Sequence, residues 1–99
     1  MVADTLLRVF DPRGYPPQVN ALTMAPRLDS LAGKTVYLVD VRFDDGDLLL
    51  LQMQAWFAEH MPDVRTIFKR KAGVYMEEDE PLFREIAEQG DAMIMAVGH

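Results

Sequence analysis

Three apolar runs with different periods occupy the last two-thirds of the chain. Residues 35–41 are almost continuously Val, Tyr and Leu around Asp40, a β-branched run that suits a strand covered on both faces. Residues 48–61 change period. Leu49, Leu50, Met53, Phe57 and Met61 recur at i, i+3, i+4 spacing and predict one buried helix face, with Trp56 at its edge and Gln52 and Glu59 opposite. Leu48, Leu51, Ala55 and Ala58 make the remaining surface more apolar than a solvent face needs, which predicts a second contact such as a partner subunit. Pro62 and Asp63 end that helix. Residues 64–68 form a shorter, more polar strand suited to a sheet edge, and residues 77–80 are acidic and lead into a second helix over 81–89. Gly90 and Asp91 close it, residues 92–97 predict a third, buried strand, and Gly98 and His99 follow.

Residues 1–33 have no such period. Pro12, Pro16, Pro17 and Pro26 fix φ, remove backbone donors and push their predecessors out of the helical region. Residues 5–10 are apolar enough for a short strand. This reads as an extended N-terminal arm (1–33), wrapped on the domain or on a neighbour, before a βαβαβ half-domain (34–99). Two right-handed crossovers would make a parallel sheet of order 2-1-3 or 3-2-1. The expected fold class is α/β: a three-stranded parallel Rossmann-like half sheet with two crossover helices and an extended arm.

Composition narrows the function classes. With 99 residues the chain is one domain, and no apolar run is long enough for a transmembrane helix. The N-terminus carries Asp4 and no basic stretch, so no secretory signal is expected and the cytoplasm is the expected compartment. The absence of cysteine excludes disulfides, thiolate metal sites and a cysteine nucleophile within these residues. A net charge of −6 argues against a nucleic-acid partner.

In open α/β sheets, ligands bind beyond the carboxyl ends of the strands. The first loop there carries Asp40, Arg42, Asp44, Asp45 and Asp47; the second carries Lys69, Arg70 and Lys71; a third begins at Gly98 and His99. Acid, base and imidazole converging on one edge could hold a polar, anionic small molecule. Equally, the aspartates would cap a helix and the lysines would be solvated. No G-x-G-x-x-G follows the first strand and no P-loop is present, so no dinucleotide cofactor is expected. Asp40-Val41-Arg42 lacks the second acid of a D-x-D nucleophile, and the aspartate spacing fits a capped loop as well as Mg²⁺, so no metal is expected. His60 suits the carbonyl end of its helix, and the methionines suit core gaps.

Four ordered segments resemble the UGSC-motif family, redox proteins containing selenocysteine or cysteine. Asp11-Pro12-Arg13-Gly14 is similar to its D-P-T-G start, and residues 25–36 resemble its opening segment. Leu38-Val39-Asp40, a polar loop and Asp47-Leu48-Leu49 resemble its L-L-D-N…D-x-L-L segment. Residues 91–98 resemble the strand leading to its motif. Val41, Arg42 and Phe43 depart from the family's smaller polar residues.

The resemblance implies that selenocysteine or cysteine would follow His99, with a second cysteine nearby. The chain would then be the N-terminal part of a thiol or selenol redox protein acting on an unknown small molecule, inactive as residues 1–99. A selenocysteine codon read as a stop, an experimental truncation or a split gene would each give this ending. His99 would be catalytic, stabilising the chalcogen anion or shuttling a proton. Asp40, Arg42 and Lys69 would be the substrate-binding residues. The alternative is a non-enzymatic small α/β domain acting through homo-oligomerisation or protein association. A third reading is an anion-binding module built on residues 69–71.

Overall fold

The computed structural model describes residues 5–97. Its elements run β1 (Thr35–Asp40), α1 (Gly46–His60), β2 (Arg65–Arg70), α2 (Glu80–Gln89) and β3 (Ala92–Ala96). The three strands are parallel and lie in the order β2-β1-β3, which selects 2-1-3 over 3-2-1. The most apolar strand takes the centre. Val36, Tyr37, Leu38 and Val39 are all buried, whereas β2, with Arg65, Lys69 and Arg70, forms one edge. β3 forms the other edge. It is only partly buried, against the expectation of a buried strand, because no strand covers its far side among the described residues.

The helices lie on opposite faces, as two crossovers of one hand require when the second returns past the central strand. Leu50 and Phe57 of α1 pack with Val36, Leu38 and Val64. Leu82 and Ile86 of α2 pack with Tyr37 and Val39 on the other side. Alternation along β1 thus feeds two small cores, even positions to α1 and odd positions to α2. The predicted face of α1 is only half right. Leu50 and Phe57 are buried and Met53 and Met61 partly so, but Leu49 is exposed together with Leu48, Leu51 and Trp56. The excess apolarity of this helix is real surface.

The two helix starts are built differently. Asp45 occupies the N-cap of α1 without a side-chain cap bond. At α2, Asp79 is a working cap. Its Oδ1 accepts from the Leu82 amide at 3.3 Å and its Oδ2 from the Ala72 amide at 2.9 Å. The Ala72 amide, chiefly, and the Leu82 amide hold the Asp79 carboxyl below the usual aspartate range, with Lys71 adding to the effect and partial burial opposing it. A depressed folded-state pKa stabilises above the unfolded value near 4, and that contribution is lost as pH falls through the folded value. Asp79→Asn is therefore expected to lower stability at pH 7 and to flatten its fall between about pH 5 and 3, read from melting temperatures across that range. An unchanged acid limb would remove Asp79 from the account.

Residues 5–34 contain no helix or strand, and side chains up to residue 30 are exposed. The arm joins the body where the Gly33 amide donates to the Asp63 carbonyl at 3.1 Å. Gly33 sits at φ 72°, a left-handed conformation glycine adopts without strain. The arm makes the chain 76 Å long and 31 Å by 30 Å across, with a radius of gyration of 21.7 Å. A compact chain of this length would have about 13 Å. No helix among the described residues is long and apolar enough to cross a membrane.

Candidate functional site

The carboxyl ends of β1 and β2 are tied into one polar edge. Asp40, the last residue of β1, is 3% exposed and faces α1, like Val36 and Leu38 before it. Register pairs Asp40 with Arg70 on β2, so both side chains emerge on the same face. Arg70 Nε lies 3.4 Å from Asp40 Oδ2, and Arg70 Nη2 lies 2.8 Å from Asp47 Oδ2. One guanidinium therefore bridges the end of β1 and the first turn of α1. Gly46 permits this closeness, because a Cβ there would sit 3.3 Å from Asp40 Oδ1 and 3.6 Å from Ala96 Cβ.

The intervening loop is strained. Arg42 and Asp44 have φ of 69° and 39°, in the left-handed region that non-glycine residues rarely occupy. Local bonds hold the loop there. The Arg42 amide donates to Asp40 Oδ1 at 3.0 Å, and Arg42 Nε donates to the Lys71 carbonyl at 2.8 Å. Phe43 meets the Tyr75 ring at a centroid distance of 4.6 Å. The second loop is pinned from within, since the buried Lys71 ammonium donates to the carbonyls of Val74 at 2.7 Å and Ala72 at 2.9 Å.

Of the residues singled out from the sequence, Asp40 and Arg42 are brought together here. Lys69 is not. Alternation along β2 sends it to the α2 face, 3.5 Å from Glu85. Glu85 also lies beside Tyr37, whose phenol is pushed above its ordinary pKa first by burial and then by that carboxylate. Arg70 takes the place at the edge that Lys69 was expected to fill. Lys69 and Arg70 belong to β2 rather than to the loop after it, and Lys71 is buried rather than solvated. Extending the period-2 count from Phe68 to residue 70 would have found Arg70. Nothing in the sequence signals that Lys71 folds back onto its own loop. His60 lies at the opposite end of α1, its ring stacked on Trp56 at 4.8 Å. Gly98 and His99 lie outside the described residues.

Two clefts open on this edge. The polar one, about 230 Å³, is lined by Asp40, Arg42, Asp44, Asp47 and Arg70. The more apolar one, about 330 Å³, lies between the β1–α1 loop and the end of β3, with Phe43, Asp44, Gly46, Leu49, Ala96 and Val97 in its walls. Asp44 borders both. With Arg70 engaged by two carboxylates, Arg42 is the cation of this edge that no carboxylate engages among the described ion pairs. Among the described residues no three His, Asp or Glu side chains gather as a metal site.

Arg70→Met is expected to lower stability by about 1–2 kcal/mol, between the effect of a solvated ion pair and that of a stranded buried carboxylate. The loss should shrink in acid as Asp40 protonates. Denaturation at pH 7 and pH 3.5 measures both; an equal loss at the two pH values would mean that Arg70 acts through packing alone.

A parallel sheet whose connections leave the central strand in opposite directions, with a cleft beside that strand's carboxyl end, defines a ligand-binding α/β half-domain with its site at the topological switch point. The chain belongs to the UGSC family, whose sequence model matches residues 8–99. No curated protein and no solved structure matches it.

Proposed function

We propose that this chain is the N-terminal part of a cytoplasmic thiol or selenol redox protein that receives a small polar substrate in the switch-point cleft. The observation that carries the reading is where β3 ends. Val97, in the strand that resembles the one leading to the family's redox motif, forms a wall of the cleft opposite Gly46 in the first turn of α1. Helix N-termini and nearby cations favour thiolates and selenolates, and Arg42 is the cation at hand. In this reading Arg42 and Asp40 hold polar groups of the substrate, Phe43 and Leu49 enclose its apolar part, and His99 serves as the acid–base group beside the chalcogen. Residues 1–99 contain no cysteine, so the redox atom comes from outside them and these residues alone do not turn over substrate.

The coding DNA beyond the His99 codon tests this directly. A UGA or cysteine codon in an open frame, with a second cysteine codon close by, is expected. A UAA or UAG codon with no reading frame beyond it would overturn the redox reading.

A further inference from the structure

The arm is the least explained part of the molecule. Its apolar side chains stand in solvent: Phe10 is 100% exposed, and Leu6, Leu7, Val9 and Leu22 are nearly as bare. Soluble chains rarely leave such a set uncovered. The arm is also no appended tail, since the family match begins at residue 8 and takes in most of it.

Area says how much cover is needed. The chain exposes 8790 Å². A compact monomer of 11.3 kDa exposes roughly 5,700 Å². Burying half of that excess on each of two copies would remove about 3,000 Å² in all, within the range of obligate subunit interfaces.

The body offers one matching surface. β2 guards its own edge with Arg65, Lys69 and Arg70, the charges that discourage strand addition. β3 has no such guard. It contains no charged residue, Met93 is 44% exposed, and its far edge is unpaired among the described residues. Beside it, Leu49 of α1 borders the end of β3, and Trp56, two turns further on, shares its stripe and is 50% exposed. A strand laid against β3 would therefore find apolar cover on the α1 side. Residues 5–10 suit that place, with Leu7 and Val9 on one face and Leu6 and Phe10 on the other.

Charge favours an arm as the contact between copies. Residues 1–33 carry three arginines and three aspartates, and the net charge of −6 falls entirely on residues 34–99. Two acidic bodies repel, whereas a neutral arm meets the partner's body without adding repulsion.

We propose that the N-terminal arm is exchanged between two copies of this chain, its residues 5–10 adding as a strand to the β3 edge of the partner. The inference does not depend on the redox reading. It is tested on the full 99-residue chain by light scattering after size exclusion, with small-angle scattering on the same peak. Wild type is expected at twice 11.3 kDa. A Leu7→Asp, Phe10→Asp double variant and, separately, Met93→Lys are each expected to halve that mass. The arm substitutions lie where no side chain touches the body, so unchanged circular dichroism should accompany the loss. A monomeric wild type overturns the proposal, whether compact, with the arm folded on its own body, or extended, with the arm waiting for another partner. A dimer that survives the arm variant overturns it as well.

Discussion

Leu50→Ala is expected to remove about 3–5 kcal/mol of stability, the largest loss from any single substitution considered for this chain. Leu50 is fully buried and joins α1 to Val36, Leu38 and Val64 in the core on that face of the sheet. A cavity there cannot be refilled by the neighbours that remain on α1, because Met53 and Met61 lie at its margins and the next residues around the helix point to solvent. The body is small, and such domains carry only a few kcal/mol in reserve. The variant should therefore be largely unfolded at 37 °C. Urea denaturation followed by Trp56 fluorescence measures it, with Leu48→Ala as the comparison. Leu48 is exposed on the far side of the same helix, so its loss should stay within about 0.5 kcal/mol. Equal losses for the two would mean that α1 does not seat on its Leu50–Phe57 face.

Gly90→Ala is expected to cost about 1–3 kcal/mol, for a reason unrelated to backbone freedom. Gly90 has φ −99° and ψ 153°, a conformation alanine adopts readily. Removing a glycine from such a position would by itself stabilise by about 0.4–1 kcal/mol through the unfolded chain. The obstacle is contact. A Cβ would lie 2.8 Å from the Ile86 carbonyl oxygen and 2.8 Å from Cδ2 of the buried Tyr37 ring. Neither is the free end of a flexible side chain, so the end of α2 must shift from the sheet. Gly14→Ala in the arm, where a Cβ meets nothing within 4 Å, supplies the comparison and should be neutral or slightly stabilising. A neutral Gly90→Ala would show that α2 is loosely held and that Tyr37 can move.

The elements were legible because each has a strong local signal. The β-branched run of β1, the i, i+3, i+4 series of α1 and the acid-proline start of α2 place three elements to within about two residues. The edge position of β2 was legible from its charges. The edge position of β3 was not, since a run of Ala, Met and Ile has the same composition whether a neighbouring strand covers it or not. Leu49 was misassigned for a related reason. Periodicity gives the centre of a buried stripe, but its width depends on how much sheet lies beneath, and three strands cover only the Leu50–Phe57 line.

The candidate site divides the same way. Asp40 and Arg42 were visible as the end of a buried strand and its following loop, positions where α/β folds hold ligands. The exchange of Lys69 for Arg70 turns on a single step of strand alternation, and a boundary misjudged by two residues reverses it.

By itself the sequence determined the order of elements, the α/β class, the family and an arm too rich in proline to fold as a helix, because these depend on neighbours along the chain. Tertiary structure alone decided the strand order, the Arg70 bridge between Asp40 and Asp47, the buried Lys71 clamp and the bare edge of β3. Those depend on which strand lies beside which. That choice is made by the hydrophobic burial of β1 at the centre and by right-handed crossovers that send one helix to each face.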